Sequence, residues 1–243
     1  MINLTNALGS TMTLQMTMGW TKVNHAIKVN AERLVTDGAI FAGSSVEPKN
    51  FTLEGSLYYK TKQANLEHFD DLKRFLQHTP IEVNRGDDRH ILAYPTSIDA
   101  DWMDDDVELG LRIGMMALDP YFYGAPVLVE QTLTAPDSIA VEPLGNVPAM
   151  PVITLAITGT CTDPTLTCGD YTLEIAGEYT TGTIIVDCKR MRASYEGVGI
   201  IGAMGDDWLT KGFLLTPDSE SVAFTATGSY SVNVAMTWRP RYI

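Results

Sequence analysis

The sequence predicts a mainly-β protein of two domains, with a single helix in the first domain. Three observations predict this fold. Stretches in which apolar and polar residues alternate recur along the whole chain. One segment alone repeats its apolar residues at spacings of three and four, as an amphipathic helix does. Beyond residue 126, short strands follow one another at intervals of roughly ten residues, with Gly and Pro turns between them. We therefore predict domains at residues 1–126 and 127–243.

Length and composition fit this fold and exclude several functions. Of 243 residues, 45% are hydrophobic, which suffices for packed cores. The formal net charge of −13 argues against stable nucleic-acid binding, because such binding needs clustered Lys and Arg. The sequence starts without the basic and apolar regions of an export signal, and no apolar run approaches the ~18 residues that span a bilayer. We expect no membrane anchor.

The first half contains strands and one helix. The helix is predicted from about Gln63 to His78, because Leu66, Phe69, Leu72, Phe75 and Leu76 form one apolar stripe that ends before Pro80. The predicted strands are Thr11–Met18, Lys22–Val29, Ala39–Ala42, Phe51–Tyr59, Ile81–Asn84, His90–Tyr94 and Val107–Ala117. We expect the helix to cover one face of a sheet.

An acidic stretch precedes the last of these strands. It contains Asp99, Asp101, Asp104, Asp105, Asp106 and Glu108. Carboxylates at this density could hold calcium, but their spacing does not match the calcium-loop pattern. The preferred interpretation is a solvated turn between two strands.

Three adjacent aromatic residues follow that strand. The alternation stops at Asp119-Pro120, because proline removes a ladder donor and favours extended geometry in the residue before it. Tyr121, Phe122 and Tyr123 come next, closed by Gly124. These aromatics either pack the seam between the two domains or form part of an interface with another chain.

The second half alternates strands and turns, which is typical of a sandwich or jelly roll. The predicted strands are Val127–Leu133, Ser138–Glu142, Val152–Thr158, Tyr171–Ala176, Thr183–Asp187, Leu209–Leu215, Ser221–Ala226 and Ser231–Trp238. A glycine-rich segment, Tyr195–Asp207, is either an exposed partner contact or a loop that folds back on the core. Cys161 and Cys168 are either free thiols or a hairpin disulfide, and Cys188 is a small buried side chain.

No residue set points to catalysis or to a bound ion. The four histidines are scattered outside any metal-binding spacing, and no nucleophile, base and orienting group can be proposed together. We predict no catalytic residue, no cofactor site and no metal site.

Several segments, in this order, resemble the distal tail proteins of long, flexible-tailed phages. A strand ends in Leu118-Asp119-Pro120-Tyr121-Phe122-Tyr123-Gly124. Gly145 to Ile153 is similar to the family's Gly-Asn-x-x-(Ala/Thr)-x-Pro-x-Ile segment. Ile184 to Cys188, Trp208 to Pro217 and Ser221 to Phe224 are similar to its later strands, and the chain ends in Trp238-Arg239-Pro240-Arg241-Tyr242. The turn Pro217 to Ser221 departs from the family pattern, because it lacks the usual Gly and Asn.

The resemblance implies a structural adaptor and not an enzyme. The first domain would be a tail-tube-like β-sandwich or split barrel that closes as a hexameric ring, and the second a galectin-like or carbohydrate-module-like sandwich. The last strand could stay in the second domain or return to the first. The ring would join the tail-tube protein to the tail-tip hub, and fibres or a receptor-binding protein are further partners. DNA would only pass through its lumen.

Two residue sets receive roles under this hypothesis. The hinge residues Asp119, Pro120, Tyr121, Phe122 and Tyr123 would lie at an interface. Asp99, Asp101, Asp104, Asp105 and Asp106 would line or rim the lumen, where negative charge keeps DNA from binding.

Three alternatives remain open at this point. The chain could be the tail-tube subunit itself, although a second domain argues against it. The second domain could be a carbohydrate-binding module in which Tyr171, Tyr179 or Tyr195 stacks on sugar rings. A cell-wall hydrolase would need a catalytic site that the sequence does not offer.

Overall fold

The chain divides into two compact units, Met1–Phe122 and Tyr123–Ile243, in a computed structural model. The structure describes residues 2–14, 16–19, 27–33, 39–46, 48–59, 61–84, 88–103 and 108–243. Of residues 16–19, 27–33 and 39–46 it describes the backbone alone. Most elements are strands in antiparallel sheets, which confirms the mainly-β prediction. No helix in these described ranges is long and apolar enough to cross a membrane.

The first unit contains the predicted helix and most of the predicted strands. The helix α1 is Lys62–Leu76. The strands are β1 Ile2–Thr5, β2 Thr11–Leu14, β3 Met16–Gly19, β4 Ile27–Arg33, β5 Ala39–Val46, β6 Lys49–Tyr58, β7 Ile81–Asn84, β8 His90–Trp102 and β9 Glu108–Ala117, and the two-residue strand β10 Phe122–Tyr123 spans the division between the units.

The main sheet of the first unit ends on two strands that are neighbours in the chain. Its strand order is β2-β1-β7-β8-β9-β6-β3. The two end strands, β2 and β3, are separated by a single residue of the chain. The long strand β8 pairs with β7 through His90–Ala93 and with β9 through Tyr94–Trp102, with an irregularity between Pro95 and Ser97. Strands that switch partners at a bulge turn the corner of a barrel or orthogonal sandwich.

The helix and one face of the sheet form the core of this unit. Strand β6 buries Phe51 and Leu53, and its neighbour β9 buries Leu111 and Ile113. The helix begins at Thr61, whose hydroxyl accepts a hydrogen bond from the Ala64 amide at 3.2 Å. Further buried side chains come from the second half of the helix, namely Leu72, Phe75 and Leu76. The predicted core-covering helix is therefore confirmed.

The second unit contains two antiparallel sheets. Its strands are β11 Val127–Leu133, β12 Asp137–Ala140, β13 Val152–Gly159, β14 Cys161–Cys168, β15 Tyr171–Glu174, β16 Glu178–Tyr179, β17 Gly182–Asp187, β18 Arg192–Tyr195, β19 Val198–Gly199, β20 Ser221–Thr227, β21 Tyr230–Trp238 and β22 Arg241–Tyr242. One sheet has the order β11-β21-β13-β17-β18-β19, and the other has the order β12-β20-β14-β15 with β16 beside β14. The long strand β21 lies between β11 and β13 and so belongs to the second unit.

One predicted strand of this unit is wrong in part. Residues 209–211, predicted as the start of a strand at Leu209–Leu215, belong to the helix α2, Asp206–Lys211. Asp206 and Asp207 occupy its first turn, where negative charge is favourable, and Gly212 ends it at φ 71°. Only Leu215 makes a strand-like bridge, to Ala149.

Cys161 and Cys168 are the first and last residues of one strand. Both cysteines lie on β14 and both are buried as free thiols. Their positions at opposite ends of eight residues put them roughly 23 Å apart along an extended strand, far beyond disulfide reach. The free-thiol interpretation is therefore the one that the fold permits.

Candidate functional site

We call residues 119–123 the aromatic connection. Several of their side chains are engaged in contacts within one of the two units. In the first unit, Pro120 and Phe122 are buried, and the buried Lys49 ammonium lies 4.9 Å from the centre of the Phe122 ring. This is cation–π distance. Leu118, just before the connection, is 57% exposed. Of the predicted interface residues, Pro120 and Phe122 therefore offer a partner little surface.

The residues that follow, Tyr123 and Gly124, make contacts within the second unit. The Lys189 ammonium donates to the Tyr123 hydroxyl at 3.0 Å and lies 5.0 Å from the centre of the ring. The Gly124 amide donates to the Pro240 carbonyl at 2.9 Å. Asp119, Tyr121 and Tyr123 are half-buried. These three residues are the ones that an interface at the connection would use.

The Gly-Asn segment of the second unit clasps the end of the chain. The amides of Asn146 and Val147 both donate to the Arg241 carbonyl, at 3.0 and 3.2 Å. The Asn146 side-chain oxygen accepts from the Ile243 amide at 3.0 Å, and the Arg241 guanidinium donates to the Pro148 carbonyl at 2.8 Å. These hydrogen bonds join two segments singled out in the sequence, residues 144–153 and 238–242.

A glycine is required inside this clasp. A Cβ atom on Gly145 would lie 2.5 Å from the Arg241 carbonyl oxygen and 2.9 Å from its amide nitrogen. Both atoms belong to the backbone and have little freedom to move aside. The close approach of the two chain segments therefore explains why glycine precedes the asparagine.

Two of the predicted lumen residues lie on an exposed sheet face and not in a turn. Asp99 and Asp101 are exposed residues of β8, with Arg112 and Gly110 of β9 as their partners in register. Arg112 donates to the Glu54 carboxylate of β6 at 3.0 Å across the next strand pair. Asp104, Asp105 and Asp106 lie outside the described residues. The turn interpretation was wrong for Asp99 and Asp101, because β8 extends through Trp102.

These side chains line a negatively charged groove in the first unit. The groove has a volume of about 760 Å³, and Phe69 of α1 and Met103 also line it. The Glu54–Arg112 ion pair is half-exposed on both sides, so its contribution to stability is about 0–1 kcal/mol. Arg112 offsets one of the three carboxylates of the groove, which remains net negative. Within the ranges that the structure describes, no group of three or more His, Cys, Asp or Glu is placed to hold a metal ion.

Two of the three tyrosines considered for sugar stacking have structural roles. Tyr179 is buried, and its hydroxyl donates to the Ala176 carbonyl at 3.0 Å. Tyr195 packs edge-on against Tyr179, and its hydroxyl donates to the Thr180 carbonyl at 2.8 Å. Burial, together with the Asp163 carboxylate and Tyr195, raises the pKa of Tyr179. Both tyrosines are thus held by contacts within the second unit.

The glycine-rich segment folds back on its own unit and also leaves apolar side chains exposed. It folds back through β19, which pairs with β18, and through a hydrogen bond from the Ile200 amide to the Ala193 carbonyl at 2.9 Å. It nevertheless leaves Val198 69% exposed and Ile201 50% exposed. Beside it lies a mainly apolar groove of about 400 Å³, whose lining includes Ile185, Met191 and Ile201.

The second half of the chain matches a known protein family. Residues 144–242 fit the family model described as the siphovirus-type tail component, C-terminal domain. We call these residues the tail-component domain, after the family model that they match. The matched range starts at the Gly-Asn clasp and ends with the terminal strand that the clasp holds. The resemblance to distal tail proteins is thereby confirmed. Among curated proteins, no sequence matches the chain.

The fold of the tail-component domain and of the unit before it is also found in a solved structure. The chain is similar to the crystal structure of the Dit protein (gp 19.1) of phage SPP1, with a TM-score of 0.71, 15% identity and 100% of both chains covered. That protein is described as a paradigm of the hub adsorption apparatus in phages that infect Gram-positive bacteria. At this identity the similarity shows a shared fold.

Two baseplate structures show a more distant similarity. They are the phage P2 baseplate in its activated conformation with Ca and with Sr. Their TM-scores are 0.42 and 0.44, their identities 5% and 6%, and the matches cover 97% and 96% of this chain and 98% and 97% of theirs. Scores this low support no conclusion about this chain.

Proposed function

We propose that this chain is the distal tail protein of a long-tailed phage. It forms a hexameric ring at the tail tip, which joins the tail-tube protein to the hub and lets DNA pass through its lumen. It works as a structural adaptor in the virion, assembled in the host cytoplasm, and not as an enzyme. Its further partners are the fibres or the receptor-binding protein of the tail tip.

The observation that carries this proposal is the tail-component domain at residues 144–242. It is attached to a barrel-like unit with one helix, in the order expected for a distal tail protein. The shared fold with the SPP1 Dit protein extends over the full length of both chains, so both units and their order support the same proposal.

The charge distribution supports a conduit for DNA. Asp99 and Asp101 are exposed on one face of the first unit, with Glu54 beside them and Arg112 as the compensating charge. A surface of this sign repels a phosphate backbone and so does not retain passing DNA. We assign this face to the wall or rim of the lumen.

Native mass spectrometry of the purified chain, combined with negative-stain images of the same sample, tests the proposal. It predicts particles of six 26.6-kDa chains with a central hole. Long stacked tubes would instead favour a tail-tube subunit. A dimer with two-fold symmetry that excludes further copies would contradict the ring.

A further inference from the structure

The end of the chain lies beside the segment through which the chain enters the second unit. We call this segment, residues 123–126, the entry segment, and we call residues 240–243, which contain β22, the terminal strap. The Gly124 amide donates to the Pro240 carbonyl at 2.9 Å. Strand β22 also pairs with β10, whose second residue is Tyr123. The beginning and the end of the second unit are therefore joined through their backbones.

The terminal strap also covers part of the entry segment. Gly124 and Pro240 are both buried. A Cβ atom on Gly124 would lie 3.4 Å from a ring carbon of Tyr242 and 3.5 Å from Cβ of Pro240, which is close packing without overlap. The next two residues of the entry segment, Ala125 and Pro126, are exposed. The strap thus gives Gly124 both a hydrogen bond and its cover.

The strap is held from its other side by the Gly-Asn clasp. The Pro240 carbonyl accepts from the entry segment, whereas the Arg241 carbonyl accepts from the amides of Asn146 and Val147. Carbonyls of successive residues in an extended strand point to opposite sides. The strap therefore lies between the entry segment and the clasp, and Val147 forms a β-bridge with Arg241.

The rest of the second unit is fixed independently of the strap. Strand β21 ends at Trp238, which is buried and donates from its indole nitrogen to the Pro143 carbonyl at 3.2 Å. Beyond this point Arg241 and Tyr242 are only half-buried, and Ile243 is 56% exposed. A two-residue strand at a chain end opens at a lower free energy than the sheets beside it.

We propose that the terminal strap is a latch that holds the entry segment. When the strap is closed, it fixes the backbone at Gly124. When the strap opens, Gly124 loses its hydrogen bond and its cover, while both sheets of the second unit stay intact. The hydrogen bond between Lys189 and Tyr123 joins side chains, so it leaves the backbone at Gly124 free to move.

The latch makes the chain end the control point for the entry segment. Removal or capture of residues 240–243 by a partner would loosen the chain where it enters the second unit. The latch involves one copy of the chain alone. It therefore goes beyond the proposed function and does not depend on the ring.

Hydrogen–deuterium exchange of the full chain, read by mass spectrometry, tests whether the latch opens by itself. Amide exchange measures local opening separately from global unfolding. The peptide that contains Gly124 is compared with the peptide of β13, residues 152–159. In the unmodified chain the Gly124 peptide exchanges at least roughly 10-fold faster than the β13 peptide.

Deletion of residues 240–243 tests whether the strap is what holds the entry segment. The Gly124 peptide then exchanges at least roughly 10-fold faster than in the unmodified chain. The β13 peptide stays protected over the same time, and the circular dichroism spectrum is that of the unmodified chain.

A point variant tests the latch with every residue of the strap present. Asn146→Ala removes the acceptor of the Ile243 amide, so the strap opens more often and the Gly124 peptide exchanges roughly 5-fold faster. Asn233→Ala is the matched control, because Asn233 is an exposed asparagine of β21 that lies outside the strap and the clasp. It leaves the exchange of the Gly124 peptide unchanged.

Three results would overturn the latch. One is exchange of the Gly124 peptide at the rate of the β13 peptide in the unmodified chain, because the strap would then open only when the whole unit unfolds. Another is a truncated chain that is folded and exchanges at Gly124 as the unmodified chain does. The third is equal exchange of the Gly124 peptide in Asn146→Ala and Asn233→Ala.

Discussion

At the residue scale, burial controls the chemistry of the cysteines. Burial raises the pKa of the Cys161 thiol to about 11 and that of Cys188 to about 12. The thiolate is the reactive form, so at pH 8 alkylation is predicted to be about 100-fold slower at Cys161 and about 1000-fold slower at Cys188 than in the unfolded chain. Peptide mapping after iodoacetamide treatment, with and without denaturant, measures this ratio. Equal rates in both conditions would refute the buried positions.

Asp187 provides a pH-dependent contribution to stability. Its carboxylate accepts from the Arg190 amide at 3.0 Å and from the Arg190 guanidinium at 2.8 Å. Burial alone would raise the pKa of Asp187, but the hydrogen bonds from Arg190 outweigh it and lower the pKa. A lowered folded-state pKa means that the stabilisation is present above the unfolded value of about 3.9 and is lost as the pH falls through the folded value.

The substitution Asp187→Asn should therefore cost stability only at higher pH. We expect a loss of about 1 kcal/mol in the free energy of unfolding at pH 7, which shrinks toward zero as the pH falls below the unfolded pKa. Urea denaturation of both proteins across this pH range checks it. A difference that stays constant down to strongly acidic pH would show that charge on Asp187 does not stabilise the fold.

At the element scale, the Gly-Asn clasp sets a sharp steric requirement. Gly145→Ala would force a Cβ against the Arg241 backbone, so we expect a loss of about 1–3 kcal/mol in the free energy of unfolding. Gly202→Ala is the matched control, since no atom lies within 4 Å of its added Cβ. Thermal denaturation compares them. Equal melting temperatures for the two variants would mean that the clasp is not formed.

The elements that sequence predicted well are those with a strong local period. The helix stripe through Leu72, Phe75 and Leu76 and the alternation of β6 both reappear in the fold. The helix α2 was not predicted because it is only six residues long and therefore shows too little periodicity. The sequence features that mark it are the acidic first turn, Asp206 and Asp207, and the terminating Gly212. The strand β14 is absent from the predicted strands because Asp163-Pro164 interrupts its alternation, where the register with β20 shifts.

In the candidate site, too, sequence patterns reveal local features but not contacts between residues that are distant in the chain. The aromatic run and the Gly-Asn segment could be singled out in the sequence, because their residue types are unusual. Their contacts could not, since Lys49, Lys189 and Arg241 are each distant in sequence from the residues that they meet.

At the scale of the whole molecule, the proposed lumen predicts an effect of charge on DNA transfer. A phage with Asp99→Lys and Asp101→Lys should adsorb normally but eject its DNA several-fold more slowly, because the conduit would attract the phosphate backbone. Asp206→Lys with Asp207→Lys makes the same charge change in α2 of the second unit and should leave ejection unchanged. Ejection followed by dye fluorescence after receptor addition measures both. Equal ejection rates for the two double variants would show that the acidic face does not line the lumen.

The proposed function places this chain at the distal end of a phage tail. Immunogold labelling of intact virions, with antibodies raised against the full chain, tests this position by electron microscopy. Gold is expected at the tail tip alone. Label spread along the whole tail would identify a tube subunit, and label on the capsid or absence of the chain from the virion would rule out a distal tail protein.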